Sequence, residues 1–470
     1  MVLDEKEFAE QLKKDIQKYG KVEGDSLYID SELQKQKIGN IQEINKKIRH
    51  YFDKSDLAEQ IWDVQPYFYD KSCLWWLWNF GLFKWEVVDD TDILNMVSQN
   101  SDANTVSGKE RNEILESMKQ FGRKRQPKPI QKTWIQFKDT IFDIKTGKEF
   151  KATPEYFVTN PIPYKLHEER FVNTPILDNL FEEWVGKEYV QTLYEIISFS
   201  LIPDYPIHRI FCFIGGGMNG KSCFLTLLRK FIGEENCCST ELDTLLNSRF
   251  EVTRLHKKLV CQMGETNFNE MSKTSMLKKL SGGDLIGFEY KRKDPFEEKN
   301  YAKIMIATNN LPATTDKTVG FYRRWLIIDF PNQFSEKKDV LSEIPKEEFE
   351  ALAVKCLGIL KDLLDKREFS NEGDVETRMK RYEDKSNPLE KFISKYIEED
   401  YNSYIWKWEF SQKLNQWCKE NRFREISDVA IGKKMKELGI EQDRKIVGDF
   451  SEGKRWRAWV GLKWKEKDEK

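Results

Sequence analysis

The chain has 470 residues, is 39% hydrophobic, 33% charged and 13% aromatic, and carries a formal net charge of -2. That length favours two to four domains with ample core, and the composition excludes both a disordered chain and a polycation that coats nucleic acid with its whole surface. The longest apolar run, residues 73–83, is too short to cross a bilayer and no signal-peptide pattern opens the chain, so the expectation is a cytoplasmic protein without membrane contact. The eight cysteines contain no C-x-x-C pair, which favours buried reduced thiols over a zinc site or a disulfide framework.

Residues 1–130 read as a mostly helical region. The stretches 5–19 and 38–52 carry apolar residues at three-to-four spacing. Asp90-Thr91-Asp92 has the D-x-D form of a metal-binding carboxylate pair, but it reads better as an acidic cap opening a helix. Residues 121–132 are basic and proline-containing, as a linker would be. The next region, 131–203, opens with an alternating stretch at 133–150 that turns at Thr146-Gly147, a β-hairpin expectation, and continues as helix.

From 204 to 335 short β-like runs alternate with helical ones, the pattern of an α/β layer with a parallel-rich sheet. Residues 209–214 form a candidate buried strand and 221–233 a candidate helix. Between them, Gly215 and Gly220-Lys221-Ser222 fit G-x-x-x-x-G-K-[ST]. Glycines let backbone N–H groups converge on phosphates, and the helix N-terminus adds partial positive charge. Lys221 would neutralise phosphate charge and the Ser222 hydroxyl would ligate Mg²⁺. The candidate nucleotide-binding set is therefore Gly215, Gly216, Gly217, Met218, Asn219, Gly220, Lys221, Ser222 and Cys223, with ATP and Mg²⁺ as ligands. The bland alternative is a glycine-rich turn with an incidental lysine.

Three further groups fall at the ends of candidate strands. Glu265 follows an apolar run, where such ATPases keep the acid that orients water or supports the metal; alone it reads equally well as a loop glutamate. Asn309 ends a second run and could sense the γ-phosphate or cap a turn. Arg323 and Arg324 precede a third run, either as a finger reaching a neighbour's nucleotide or as surface arginines. Of the two, Arg324 is the expected finger and Arg323 the residue that holds the strand. Lys221 and Glu265 are 44 residues apart, Glu265 and Asn309 another 44, and Asn309 and Arg324 15. Ligands of open α/β sheets bind at the carboxyl ends of strands, so four such groups at consecutive strand ends argue for one site.

The order of phosphate loop, lone strand-end acid, Ser281-Gly282-Gly283-Asp284, basic hairpin, Ala307–Asn310 and Phe321–Trp325 resembles the superfamily 3 helicases, specifically the helicase portion of phage, plasmid and poxvirus-type primase–helicases. The resemblance covers roughly residues 65–465. It implies an AAA+-like P-loop NTPase core in a homo-oligomeric, typically hexameric ring that hydrolyses ATP while moving on single-stranded and forked DNA for a phage, virus or plasmid replicon. A replicative ATP-dependent helicase is the leading reading, and a weakly hydrolysing ATP-switch loader or origin-binding scaffold is the alternative. The primase or polymerase partner would be separately encoded.

Within that resemblance, Lys291, Arg292 and Lys293 crown a candidate hairpin that would line a DNA channel, with Lys293 the favoured contact; a solvated turn is the alternative. Residues 336–384 read as a helical segment. Residues 385–470 read as helix, helix, hairpin, the order of a winged-helix domain. From 401 to 470 there are 17 Lys/Arg against 12 Asp/Glu. Lys433, Lys434 and Lys436 fall on the candidate recognition helix, and Arg455, Trp456 and Arg457 on the candidate wing.

Overall fold

The structure is a computed structural model. It describes residues 20–23, 26–31, 34–40, 54–101, 108–166, 173–264, 270–271, 273–291, 293–335, 339–420, 423, 425–447 and 454–465. The helix expected over 5–19 lies outside them. The chain divides into two compact units, one built mainly from the first 161 residues and the other from most of the remainder.

The N-terminal unit is richer in strands than its sequence suggests. Strands β1 (Gly20–Glu23), β2 (Ser26–Ser31) and β3 (Gln34–Asn40) pair antiparallel, so β3 takes the start of the stretch expected to be helical at 38–52. After helix α1 (Lys54–Val64) comes a second antiparallel sheet of β4 (Tyr67–Tyr69), β5 (Trp75–Asn79) and β6 (Lys84–Val88). Aromatic and β-branched residues fit a pleated surface better than a helix, and here they override the expected helix. Strand β5 is covered on both sides. Trp75 packs with Ile61, Ile93 and Met118, whereas Trp76 and Trp78 pack with Phe68, Trp85 and Ile141. The acidic stretch caps helix α2 (Asp90–Asn100): Asp89 accepts from the Thr91 and Asp92 amides and Asp92 returns the bond.

Helix α3 (Gly108–Lys124) absorbs the first residues of the expected linker. Strands β7 (Trp134–Phe137), β8 (Thr140–Asp143) and β9 (Lys148–Lys151) form a three-stranded sheet, where the sequence suggested one hairpin. The missed turn is at Lys138, whose positive φ (46°) a lysine pattern does not announce.

The larger unit begins with α4 (Pro175–Val185) and α5 (Val190–Phe199). The α4 cap, Thr174, makes no side-chain cap bond; the carboxylate of Glu348 instead accepts from the Ile176 and Leu177 amides at 2.8 and 3.0 Å. Strand β10 (Ile210–Ile214) leads into α6 (Lys221–Ile232), followed by β11 (Cys237–Ser239), α7 (Leu242–Asn247), β12 (Val260–Met263), β13 (Glu270–Met271), α8 (Ser275–Leu280), β14 (Leu285–Phe288), β15 (Phe296–Lys299), β16 (Lys303–Thr308), β17 (Ala313–Thr314), α9 (Val319–Tyr322) and β18 (Trp325–Asp329). Five of these strands form one parallel sheet in the order β11-β12-β16-β10-β18. Strands β10, β12 and β16 are buried at every position, as expected of parallel strands covered on both faces.

Helices α10 (Lys346–Lys366) and α11 (Val375–Ser386) follow. The C-terminal part comprises α12 (Pro388–Tyr396), β19 (Ile397–Trp406), α13 (Lys407–Glu420), α14 (Asp428–Glu437), β20 (Gln442–Val447) and β21 (Lys454–Trp464). Its helix, helix, strand, strand order is joined by β19, an additional strand, in an antiparallel sheet ordered β19-β21-β20. Leu389, Phe410, Leu414, Ile431, Met435 and Trp459 are among the residues that fill its core. Among the described residues no helix is long and apolar enough to cross a membrane. The cysteines are unpaired, with Cys212, Cys261, Cys356 and Cys418 buried.

Candidate nucleotide site

The loop from Gly215 to Gly220 joins the carboxyl end of β10 to the N-terminus of α6. Its glycines are required by space as well as by conformation. A Cβ on Gly215 would lie 2.7 Å from the Phe330 carbonyl oxygen, and one on Gly220 would lie 2.6 Å from Trp184 Cδ1. Gly217 and Gly220 hold φ of 96° and 89°, and Met218, exposed between them, holds 50°. The loop is tied down from outside: Phe334 N–H donates to the Met218 carbonyl at 2.8 Å, and buried Asn219 donates to the Asn332 carbonyl at 2.7 Å.

Lys221 opens α6 and is buried. Its ammonium donates to the Gly215 carbonyl and lies 3.4 Å from both Asn219 Oδ1 and Asn309 Oδ1. Asn309 follows β16, the strand beside β10, so residues 88 positions apart meet at the carboxyl edge of the sheet. These three acceptors are neutral oxygens. Ser222 is exposed on the first turn, and Cys223 is half-buried, its thiol pushed up by burial and then by Asp339. Glu265 lies outside the described residues; strand β12, which leads toward it, ends at Met263.

The two arginines differ in exposure and in partners. Arg324 is 7% exposed, and its guanidinium donates to Ser281 Oγ at 3.2 Å, to the Lys278 carbonyl at 3.3 Å and to the Gly320 carbonyl. Burial, and then Arg323, lower its pKa. Gly282 leaves room for it, since a Cβ there would stand 3.1 Å from Nη2. Thus Ser281-Gly282 cradles Arg324 and fixes the start of β18, while Arg323 is exposed.

Sequence reasoning missed Asp329, although it too ends a core strand. Asp329 pairs with Ile214 across the β10–β18 register, just before the glycine loop. Two cations of α11 hold it, Lys385 at 2.6 Å and Arg381 at 3.1 Å, and Arg381 also donates to Tyr189 Oη. Burial raises the carboxyl pKa, but Lys385 and Arg381 outweigh it and leave the group below its ordinary value.

Strands β14 and β15 form the expected two-stranded ribbon. Its tip, residues 290–296, belongs with the N-terminal unit: Tyr290 and Phe296 stack 6.2 Å apart and pack against the Phe68, Trp76 and Trp85 cluster. Lys291 is exposed and Lys293 half-buried, so Lys291 rather than the favoured Lys293 has the freer side chain; Arg292 lies outside the described residues. In the C-terminal part, Lys434 contacts Glu390 at 3.1 Å and Glu437 at 3.4 Å, Lys433 lies 3.9 Å from Glu437, Lys436 and Arg457 are exposed, and the Arg455 side chain lies outside the described residues. Among the described residues no group of three or more His, Cys, Asp or Glu side chains could hold a metal ion.

Residues 213–324 match the model of a family of unknown function, DUF5906. Over 226 residues the chain is 24% identical to the "Putative helicase L207/L206" of Acanthamoeba polyphaga mimivirus, a match that covers 45% of this chain and 23% of that protein. Two apo structures of the NrS-1 C-terminal region align over 88% of this chain and all of theirs, at 15% and 14% identity with TM-scores of 0.46 and 0.43.

Proposed function

We propose that this protein is an ATP-dependent DNA helicase of the superfamily 3 type, working as a ring, with an AAA+-like P-loop core and a C-terminal winged-helix domain. The observation that carries the reading is the meeting of Lys221 and Asn309, 3.4 Å apart, beside a glycine loop at a helix N-terminus and at the carboxyl edge of a parallel sheet. The partial match to a protein named as a viral helicase supports the same class.

The residues fit ATP. The loop amides and the α6 N-terminus suit its phosphates, and Lys221 can exchange neutral acceptors for phosphate oxygens. Mg²⁺ would be held by Ser222 and by Glu265 and would neutralise developing charge on the phosphates. Asn309 is the residue that would report phosphate occupancy to Lys221 and β16. Arg323, exposed at the start of β18, is the arginine available to a neighbouring subunit, with Arg324 its support. Lys291, Lys433, Lys436 and Arg457 are candidate DNA contacts with solvent access.

The test is ATP turnover by Lys221→Ala. Removing the cation should cost about 10²-fold or more while leaving the melting temperature within a few degrees. Turnover within twofold of wild type would refute the nucleotide site.

A further inference from the structure

The two edges of the five-stranded parallel sheet carry complementary chemistry. The glycine loop, Lys221 and Asn309 lie at the carboxyl edge. At the opposite edge His208 and Arg209 precede β10, just as Arg323 and Arg324 precede β18. Ile210 pairs with Trp325, and the Ile210 amide donates to the Arg324 carbonyl at 2.5 Å. The same register carried back one and two residues sets Arg209 beside Arg324 and His208 beside Arg323.

This amino edge has unspent donors. Glu372 accepts from Arg209 at 2.8 and 2.6 Å and from Arg378 at 2.8 Å, so one carboxylate serves two guanidiniums. Arg324 is held by uncharged oxygens. Arg323 is exposed and makes no ion pair among the described residues, and the half-buried ring of His208 makes no hydrogen bond among them. Burial holds the imidazole below its ordinary pKa, Arg324, Arg323 and Arg209 push the same way, and Asp284 opposes them. His208 is thus uncharged in the free chain near pH 7, and an anion at this edge would favour its charged form. Exposed apolar side chains flank both edges: Val319, one turn before Arg323, is 65% exposed, Leu285, next to Asp284, 55%, and Met218, in the glycine loop, 56%.

A five-residue strand is about 16 Å long, so His208 and Arg323 cannot serve phosphates at the other end of their own sheet. A second copy packed head to tail brings one edge against the other, and such a contact repeats in one direction, as a ring requires. We propose that His208 and Arg323 together form the trans half of the nucleotide site, donating to the phosphates held by the glycine loop of a neighbouring copy, with Val319, Leu285 and Met218 at the rim of that contact. The proposal rests on the nucleotide reading of the Lys221 loop and adds His208 to it as a second trans donor.

The test is ATP turnover in mixtures of variants, with assembly followed by native mass spectrometry. His208→Gln should lower kcat about 10-fold or more. Its KM for ATP should stay within twofold and its melting temperature should not change, because each loop still binds its own nucleotide. Mixed with inactive Lys221→Ala, it should regain turnover per intact loop, because an intact loop then meets an intact His208. The double variant Lys221→Ala/His208→Gln should give no such recovery. Wild-type kcat in His208→Gln, or a chain that stays monomeric with ATP, would overturn the proposal. So would failure to recover on mixing, with mixed assemblies confirmed by mass, which would make His208 a structural residue of its own subunit. Near-normal turnover by Lys221→Ala alone would instead refute the nucleotide reading beneath it.

Discussion

The five-stranded parallel sheet and the three-stranded antiparallel sheet offer chemistry in different places. Strands β10, β12 and β16 are buried on both faces, so their faces can present nothing and polar groups gather at the ends: Lys221, Asn309 and Asp329 at the carboxyl edge, Lys303 at the opposite one. The antiparallel sheet commits one face to Trp459 and Ile405 and leaves the other open to Trp406 and Trp456. Sheet type alone thus decides where side chains can be presented: at strand ends in the parallel sheet, and on an open face in the antiparallel one.

The sharpest attempt to break the edge assignment uses the arginine pair. Arg323→Ala should lower hydrolysis by about 10³-fold or more with an unchanged melting temperature. Mixing it with Lys221→Ala should restore part of the rate, because a mixed interface joins an intact loop to an intact Arg323. Arg324→Ala should instead strand Ser281, Lys278 and Gly320 groups and cost about 2–3 kcal/mol in chemical denaturation. Equal stability of the two variants would show that Arg324 does not anchor β18.

Asp329→Asn tests the latch beside the loop. Asp329 is partly solvated, so the loss should be about 1 kcal/mol or less, read from denaturation at several pH values. Its pKa is lowered in the fold, so its contribution is present above the unfolded carboxylate value and is lost as pH falls through the folded value. The gap between wild type and variant should therefore be constant near neutrality and close below about pH 4.

Lys303, at the amino end of β16, is fully buried, and desolvation pulls its pKa down to about 7 against a weak opposing pull from Asp204. Between that value and 10.5 the unfolded chain binds more protons, so this lysine makes stability rise with pH. Lys303→Met should remove that slope and raise stability at pH 7 by about 1 kcal/mol or less. An unchanged slope in pH-dependent melting would contradict the buried, desolvated lysine.

The legible parts of the molecule were those fixed by short-range spacing. The glycine loop announces itself because strand, turn and helix lie within 25 residues, 209–233. Asn309 was found because strand-end positions can be counted. Arg323 and Arg324 were not separable, since neighbours on a turn differ only in which one meets Ser281 and the Lys278 carbonyl, and Ser281-Gly282 gave no hint of being that cradle. Asp329 satisfied the same strand-end rule as Glu265 and was overlooked. The aromatic N-terminal strands were hidden by helical spacing around them. The open face that carries Trp406 and Trp456 required β19 and its register, which no local pattern specifies.

The most direct measurement is strand displacement on forked DNA carrying one single-stranded tail at a time, with ATP, comparing wild type and Lys221→Ala. The expected result is ATP-dependent displacement from one tail polarity by wild type and none by the variant. Displacement that proceeds without ATP, or equally well in Lys221→Ala, would contradict a nucleotide-driven helicase built on the Lys221–Asn309 edge.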